Sequence, residues 1–454
     1  MALPTLIAPR NPSLHSPFEP DLYARLEEAR TRTDYLFTLL GPGSTYDRAI
    51  AERHRLIFYL GHLEAFDWNL IARGACERPS FHPEFDRLFA FGIDPIDGQF
   101  PSDQPADWPR EEEVRKYVRR IREELDELIG GSPNAAEAAE QSRSSMVGGT
   151  LLNVAIEHRL MHAETLAYLL HELPFERKIP QAIPAEPAAP APSHGSVAIP
   201  AGAATLGQAR AAKHFGWDNE FESHDVQVPV FSIARYPVTN EQFMEFVRAG
   251  GYEQESLWDA ASWEWKNSIG LWHPHFWRQE NLQWMFRGMF RAEPLQPHAP
   301  VYVSHAEASA YAQWAGKRLP TEAHWHRAAY GTEDSTEREF PWGAQPPDAS
   351  RGNFDFARWH PTAVNAHPAG GSAFGVMDLV GNGWEWTADV FAPFPGFQTF
   401  PSYPGYSADF FDGQHFVMKG GSPQTAACML RRSFRNWFQP HYTYPYATFR
   451  CMEG

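Results

Sequence analysis

The sequence of 454 residues predicts an α+β protein of two domains, a helical bundle followed by a loop-rich domain that contains short strands. Long periodic segments with few helix breakers run from about residue 20 to residue 175. A stretch rich in proline and alanine follows, and beyond it short β-type segments alternate with Gly, Pro and Asn turns. A chain of this length is expected to hold two or more domains with cores of their own.

Four helices are predicted in the first domain, near residues 20–40, 46–74, 111–129 and 142–171. The third is the clearest, because its apolar residues recur every three or four positions and charged residues occupy the opposite face. That apolar face is formed by Val114, Val118, Ile121, Leu125 and Leu128. Four helices of this kind are the natural number for a bundle.

The Pro/Ala-rich stretch sets the domain boundary, because such a composition gives a semi-extended linker. The predicted organisation is a bundle over residues 15–178, a linker over 179–195 and a second domain over 196–454. In the second domain β-type residues predict strands at 226–233 and 415–418. Most of the 16 tryptophans lie in this half, so aromatic packing and turn chemistry are expected to order it.

Two short helices are also predicted in the second domain, at residues 240–249 and 304–315. Thr239 precedes the first as a cap. Ser304 begins the second, and Glu307 completes a capping box with it.

A pair of histidines at helical spacing, His158 and His162, is the strongest functional signal. Residues four apart lie one turn above each other on the same helix face, so both imidazoles can reach one ion. His62, on another apolar helix, is the third candidate ligand. Glu164 lies about 200° around the helix from His162, so it is expected to orient a ligand or to bond elsewhere.

Three neutral imidazoles without a thiolate predict a metal site with open positions, which is typical of catalytic sites. Zinc, copper, iron and nickel all accept such ligands, and spacing does not choose among them. The alternative is that His158 and His162 are packed or surface histidines of the bundle, in a chain that has 20 histidines.

The charge, hydropathy and cysteine content of the sequence exclude several classes of binding partner and location. The 39 basic and 56 acidic residues give a net charge of −17, which argues against nucleic acid or an anionic membrane surface. No apolar run would span a bilayer and the N-terminus lacks a signal-peptide pattern, so a cytoplasmic protein is expected. The three cysteines imply no disulfide framework and no thiolate metal site, and Cys428 and Cys451 are expected to be buried.

Six short motifs of the second half carry a resemblance to known families. They are IPAG at 199–202, PVTNEQF at 237–243, KRLPTEAHW at 317–325, GNGWEWT at 381–387, GGS at 420–422 and FRC at 449–451. Together they resemble the formylglycine-generating-enzyme type of domain, a C-type-lectin-like fold. The first half resembles the DinB-type four-helix bundle. Its pattern of one histidine followed by HxxxHxE is similar to the iron-binding motif of the ergothioneine and ovothiol sulfoxide synthases, which join these two domains in this order.

The resemblance implies a mononuclear non-haem Fe(II) enzyme that uses O2 as co-substrate and small molecules as partners. A thiol, cysteine or γ-glutamylcysteine, would be joined to imidazole C2 of Nα-trimethylhistidine (hercynine), and the sulfur would be oxidised to a sulfoxide. His62, His158 and His162 would be the iron ligands. Three neutral ligands leave the ion divalent, so it can hold a thiolate and O2 together.

The resemblance also implies a pocket for the histidine derivative near the C-terminus, in the segment Arg435-Asn436-Trp437-Phe438. A trimethylammonium group has no N–H to donate, so aromatic faces such as Trp437 and Phe438 would hold it. Further candidates for substrate binding are Met161 and Arg431. The arginines could instead form internal ion pairs, and Trp384 and Trp386 are expected to belong to the core.

The sequence departs from the family pattern at two positions. Met161 stands where many members have a glutamine that contacts the substrate imidazole. Phe394 stands where members often have a catalytic tyrosine, and a phenyl ring cannot donate a proton. Another proton donor is therefore expected, with these candidates: Tyr403, Tyr406, Tyr442, Tyr444 and Tyr446.

Three alternatives to a thiol-using sulfoxide synthase stay open at this point. One is a selenoneine synthase with a seleno-sugar donor, which an Arg-poor donor pocket would favour. The others are a zinc-dependent thiol transferase of the DinB type and a lectin-like binding module without catalysis. A formylglycine-generating activity is disfavoured, because it needs a copper-binding cysteine pair and only Cys428 and Cys451 are available in that domain.

Overall fold

The structure of the protein is a computed structural model, and it describes residues 22–92, 100–130, 145–183, 190–212 and 214–454. Helices form the first part of the chain, and short strands, helices and loops form the second, which confirms the predicted α+β class. The predicted start of the bundle, the first residues of two predicted helices and the middle of the predicted linker lie outside the described residues.

The described first part contains α1 (Leu22–Thr38), α2 (Leu56–Asp67), α3 (Pro83–Phe91), α4 (Glu111–Gly130) and α5 (Ser145–Glu172). A π-helical segment, Trp68–Ala75, continues α2. Helix α1 packs along α5, and α2 lies against α3, α4 and α5. The fully buried Val114, Ile121 and Leu125 show that the apolar face predicted for α4 does face the core.

The predicted helix at 46–74 is wrong at its start, because α2 begins only at Leu56. Tertiary ion pairs hold the preceding segment in a non-helical conformation. The buried carboxylate of Asp103 pairs with both Arg48 and Arg55, and Asp47 accepts a hydrogen bond from Arg177 at 2.6 Å. The sequence analysis also missed the short helix α3, which begins at a proline and has only nine residues.

The second part contains α6 (Asn240–Arg248), α7 (Ala260–Ser268), α8 (His305–Trp314) and α9 (Glu322–Tyr330). Both predicted caps are confirmed. The Thr239 side chain accepts a hydrogen bond from the backbone N–H of Gln242, and the Ser304 hydroxyl accepts one from the backbone N–H of Glu307. The Glu307 carboxylate accepts the backbone N–H of Ser304 in return, at 2.9 Å, which completes the capping box.

The strands of the second part are short. They are β1 (Ser196–Ile199), β2 (Gly202–Leu206), β3 (His224–Val228), β4 (Phe231–Ala234), β5 (Trp277–Glu280), β6 (Gln283–Arg287), β7 (Ala292–Pro294), β8 (Lys317–Arg318), β9 (Trp384–Val390), β10 (Phe416–Lys419), β11 (Asn436–Phe438), β12 (Ala447–Thr448) and β13 (Met452–Glu453). Two sheets have the orders β1-β4-β13-β8 and β11-β10-β9-β12, beside a β2-β3 pair and a β5-β6-β7 sheet. The single strand predicted at 226–233 is wrong, because Pro229 lies in a break between β3 and β4.

Two apolar clusters contain residues from both parts of the molecule. Leu26 of α1 and Val154 and Leu160 of α5 pack with buried residues of the second part such as Trp217 and Trp386. The predicted core position of Trp384 and Trp386 is confirmed, since both are at most 2% exposed. Within the described ranges, every helix is too short or too polar to cross a lipid bilayer.

The cysteine expectation is half correct. Cys451 is buried, whereas Cys428 is exposed, because it lies in a 3-10 turn, Ala427–Met429, at the surface.

Asp378 is a buried carboxyl group that gives the fold a pH dependence. It accepts a hydrogen bond from the Asn382 amide at 2.9 Å, and burial raises its pKa to about 8 from an ordinary 3.8. The folded state therefore binds this proton more tightly than the unfolded state, so the free energy of unfolding falls as the pH rises from 4 to 8. Asp378→Asn mimics the protonated group and is expected to remove roughly 2–5 kcal/mol of that fall, measured by urea unfolding. Parallel pH curves for the two proteins would contradict this.

Candidate active site

Three histidines from two helices meet at one point of the molecule. His62 projects from α2, and His158 and His162 project from α5. Each offers one ring nitrogen, and these nitrogens all lie within 4.8 Å of one another. The Nε2 atoms of His62 and His162 are 3.2 Å apart. The structure therefore brings together the three candidate ligands that the sequence analysis singled out.

The orientation of His62 is fixed by the helix next to it. Gly61 has no side chain, and a Cβ there would lie 2.4 Å from the ring of Phe89, so α3 can approach α2 closely. This approach brings the Phe89 carbonyl oxygen to 2.7 Å from Nδ1 of His62. A carbonyl only accepts, so Nδ1 carries the proton and Nε2 keeps its lone pair toward the other histidines.

The donor set fits a metal ion that takes neutral nitrogen ligands. Burial lowers the pKa of His62 to about 4 and holds the pKa of His158 and His162 well below its ordinary value, so all three are neutral at pH 7. Among the described residues, Nδ1 of His158 and Nδ1 of His162 have no hydrogen-bond partner although both are buried. Three lone pairs near one point, with no carboxylate or thiolate in the set, match zinc, copper, iron or nickel.

A buried ion cluster behind the histidines locks the two helices in register. Arg159 of α5 is fully buried and pairs with Glu64 of α2 at 2.8 Å and with Asp67 at 2.6 Å. It also donates to the backbone oxygen of Leu63 at 3.0 Å. Because Glu64 lies two residues from His62, and Arg159 lies next to His158, this cluster ties the ligand-bearing turns together.

An aromatic wall covers one side of the three histidines. Phe66 stacks on His158 with ring centroids 3.5 Å apart and an angle of 13°. Tyr403, from the second part of the chain, lies 5.3 Å from Phe66 and 6.1 Å from His158 between ring centroids. Burial raises the pKa of Tyr403, so its phenol keeps its proton at neutral pH.

The other candidate tyrosines lie farther from the histidines or have other partners. Tyr406 donates to the sulfur of Met161 at 3.3 Å and stacks on Trp217. Tyr442 accepts from Arg53, Tyr444 contacts Tyr442, and the buried Tyr446 contacts His171. Among the described ring contacts of the five candidates, only those of Tyr403 include a histidine of the cluster.

Phe394 belongs to a different part of the fold. It lies in the apolar cluster that contains β2 and β3 residues, against the Arg435 guanidinium at 4.0 Å and the His224 ring at 4.6 Å. The exchange of tyrosine for phenylalanine at this position therefore removes no phenol from the aromatic wall.

The segment predicted to bind the histidine derivative forms strand β11 at the edge of its sheet. Its three residues are half-buried. Trp437 stacks on Phe391 at 4.1 Å and meets Tyr406 edge-on at 5.5 Å, while Phe438 stacks on Tyr442 at 5.1 Å. Asn436 is half-buried and its side-chain oxygen accepts its neighbour's backbone N–H. The strand is thus linked to the α5 region through Tyr406 and Met161.

The two arginines named as substrate ligands have partners within the protein. Arg431 binds Glu157 at 2.7 Å and also pairs with Glu220. Arg435 lies 3.2 Å from Glu322 and donates to two backbone oxygens. This is the alternative that the sequence analysis weighed, and a substrate-binding role for either residue stays a prediction.

Two glutamates of α5 join the bundle to the second part of the chain. Glu164 accepts hydrogen bonds from Trp384, Ser422 and Thr425, so it bonds elsewhere instead of reaching the histidines. Burial raises the pKa of this carboxyl group. Glu157 accepts from the indole N–H of Trp217 at 2.8 Å and from Arg431.

Glu157→Gln is expected to lower the free energy of unfolding by about 3 kcal/mol, because it leaves part of the Arg431 charge uncompensated in a buried place. Urea unfolding measures the change. Glu123→Gln, on the exposed face of α4, is the matched control and should change stability by less than about 0.5 kcal/mol. Equal free energies of unfolding for the two variants would show that the buried Glu157–Arg431 pair does not stabilise the contact between the bundle and the second part of the chain.

Sequence reasoning missed several residues around the site. Tyr59 lies 5.7 Å from His162 between ring centroids, and Arg53 lies just before α2. Gly61 and Phe89 act on His62 through a helix that was not predicted. The position of Gly61 directly before His62 could have indicated this contact, because a glycine within a helix often marks the close approach of another part of the chain.

Comparison with known proteins identifies relatives of both parts. Residues 182–454 match the family described as sulfatase-modifying factor enzyme 1-like domain, and residues 25–166 match the DinB superfamily. A hercynine oxygenase of Mycolicibacterium thermoresistibile is 32% identical and covers 93% of this chain and 92% of that relative. A hercynine oxygenase of Mycolicibacterium smegmatis is 37% identical over 63% of this chain and 68% of its own. Ergothioneine biosynthesis protein 1 of Neurospora crassa is 28% identical over 90% of this chain and 54% of its own.

Proposed function

The chain belongs to the family of ergothioneine-type sulfoxide synthases that includes the hercynine oxygenases, and from this premise we propose its reaction. The protein is an O2-dependent enzyme of ergothioneine biosynthesis that forms a C–S bond between a thiol and imidazole C2 of hercynine. The imidazole C–H and the thiol S–H are broken, the new sulfur is oxidised to the sulfoxide, and O2 gives one oxygen to sulfur and one to water. The thiol is cysteine or γ-glutamylcysteine.

The observation that carries the proposal is the meeting of three neutral imidazoles beside an aromatic wall formed by Phe66 of the bundle and Tyr403 of the second domain. His62, His158 and His162 would hold ferrous iron. When bound, that ion activates O2 and holds the thiolate beside it. The low pKa of all three histidines keeps their lone pairs available at neutral pH, and the Phe89 carbonyl keeps His62 aimed at the ion.

The residues of the second domain bind and orient the organic substrates. Trp437 and Phe438 offer aromatic faces for a trimethylammonium group, which has no hydrogen to donate. Met161 of α5, which precedes His162 in the sequence, accepts a hydrogen bond from the Tyr406 hydroxyl. Tyr403 holds a proton at its phenol oxygen close to His158 and donates it during oxygen reduction.

A seleno-sugar donor and a zinc-dependent thiol transfer are not favoured, because the relatives that cover most of this chain are hercynine oxygenases and ergothioneine biosynthesis proteins. Arg431 and Arg435 each form an ion pair with a glutamate, so a substrate carboxylate would have to share either cation with that glutamate.

Oxygen consumption tests the reaction. Protein reconstituted anaerobically with Fe(II) is mixed with hercynine and with cysteine, γ-glutamylcysteine or a seleno-sugar in turn, and the products are read by mass spectrometry. Uptake that requires both substrates, with one product carrying the coupled thiol plus one oxygen, is the expected result. Uptake only with the seleno-sugar would replace the donor, and no uptake with zinc retained in the purified protein would replace the reaction class.

A further inference from the structure

Arg53 is a cation whose partners are neutral hydroxyl groups. Its Nε donates to the Tyr442 hydroxyl at 2.8 Å and one terminal nitrogen donates to the Tyr168 hydroxyl at 3.1 Å. Its guanidinium carbon lies 5.2 Å from the centre of the Tyr442 ring. In the part of the chain that the structure describes, no carboxylate forms an ion pair with it. A buried or partly buried arginine usually forms an ion pair with a carboxylate, which neutralises its positive charge. The positive charge of Arg53 is not neutralised in this way by any described residue.

Three arginines that precede strand β11 in the chain do not share this property. Arg431, Arg432 and Arg435 each lie within 3.2 Å of a glutamate carboxylate. The contrast matters because a carboxylate-bearing substrate needs a cation that the protein has not already neutralised. Arg53 is half-buried, so it keeps some access from outside.

Arg53 is linked through its two phenol partners to the helix of the histidine cluster and to the region of strand β11. Tyr168, its second partner, lies on α5 six residues beyond His162. Tyr442, its first partner, stacks on Phe438 at 5.1 Å. Arg53 is therefore tied both to the helix that carries two of the candidate metal ligands and to the strand proposed to offer aromatic faces to hercynine.

We propose that Arg53 binds the α-carboxylate of an amino-acid substrate at this junction, an inference that rests on the proposed function. The guanidinium has five N–H groups in a planar fork, and the two phenol oxygens use two of them. The remaining N–H groups can pair with a carboxylate, while the phenols hold the fork in place. Hercynine and a cysteine-type donor both carry an α-carboxylate, so the test has to separate the two.

The test compares Arg53→Met with wild type on substrates that lack the carboxylate. Hercynine is paired with its decarboxylated analogue, N,N,N-trimethylhistamine, and cysteine is paired with cysteamine. Wild type is expected to prefer the carboxylate-bearing member of the relevant pair roughly 10- to 100-fold in kcat/KM. In Arg53→Met that preference should shrink to within about 3-fold. The pair whose preference collapses identifies the substrate that Arg53 binds.

Controls separate this role from a structural one. Arg119→Met, on the exposed face of α4, should keep both preferences, and Arg53→Gln, which keeps a hydrogen-bond donor without the charge, should lose the same preference as Arg53→Met. Iron content and circular dichroism check that the variants fold. If both preferences survive in both Arg53 variants, the proposal is overturned.

A failure of the proposed function gives a different pattern. In that case the wild-type protein consumes no O2 with any substrate pair. Anaerobic calorimetry of hercynine and trimethylhistamine binding then tests whether Arg53 binds the carboxylate. Hercynine affinity that is 10- to 100-fold above that of trimethylhistamine in wild type, and equal in Arg53→Met, would support carboxylate binding. Binding that is equal for both compounds in wild type, together with equal binding of cysteine and cysteamine, would refute it.

Discussion

Replacing His158 by alanine is expected to leave a folded protein that no longer retains its metal ion or its activity. His158 supplies one of the three ring nitrogens that form the candidate metal site. No carboxylate of the described residues lies with these nitrogens and could replace it as a ligand. Loss of an outer partner of a metal ligand already weakens binding 10- to 100-fold, so loss of a ligand should cost at least about 100-fold in affinity. His62→Ala and His162→Ala should behave in the same way. Metal per chain after reconstitution and desalting, together with the rate of O2 uptake, measures the effect.

The matched control is His214→Ala, which changes an exposed histidine of the second domain and should retain the wild-type metal content. Circular dichroism and thermal unfolding confirm that each variant is folded. A variant of His62, His158 or His162 that still binds iron at the wild-type level would remove that histidine from the ligand set. The site would then need a different third or second donor.

The second large effect is expected for Tyr403→Phe, which should lower kcat for sulfoxide formation by roughly 10²- to 10⁴-fold, the range for a lost general acid. The phenyl ring keeps the contacts with Phe66 and His158, so the change removes the hydroxyl group alone. KM for hercynine and for the thiol should change by less than about 3-fold, because the phenol acts on the reacting atoms and not in binding. Steady-state kinetics with product analysis by mass spectrometry measures both values.

Tyr444→Phe serves as the control, because Tyr444 is also half-buried but, among the described residues, its ring contacts are with His275 and Tyr442 and with no histidine of the cluster. Its kcat should remain near that of wild type. A Tyr403→Phe enzyme with wild-type kcat would assign Tyr403 to packing against Phe66. Tyr406, whose hydroxyl reaches Met161, would then be the next residue to test.

Helices were predictable where local patterns agree with tertiary packing. The α4 periodicity placed Val114, Ile121 and Leu125 in the core, and the capping signals at Thr239 and Ser304 marked two helix starts. The start of α2 was not predictable in this way. Ion pairs to Asp103, about 50 residues downstream, hold that segment out of the helix, and a local pattern contains no information on such pairs.

The partners of the arginines likewise lie far away in the sequence. Arg431 pairs with Glu157 across 274 positions, and Arg435 pairs with Glu322, so local sequence could not show that both are held in internal ion pairs. Arg53 was not predicted as a binding residue, because it belongs to no recognisable sequence motif. Only the structure shows that two hydroxyl groups, and no carboxylate of the described residues, are its partners.

The sequence by itself determined the two-domain class, the family and the three histidines. Helical spacing and motif order are properties of the sequence itself, so they can be recognised before the fold is known. The tertiary structure decided which tyrosine reaches the histidines, that Phe394 lies elsewhere, and that a backbone carbonyl of an unpredicted helix orients His62. These are distances between residues far apart in the chain, and only the packing of the second domain on the bundle sets them.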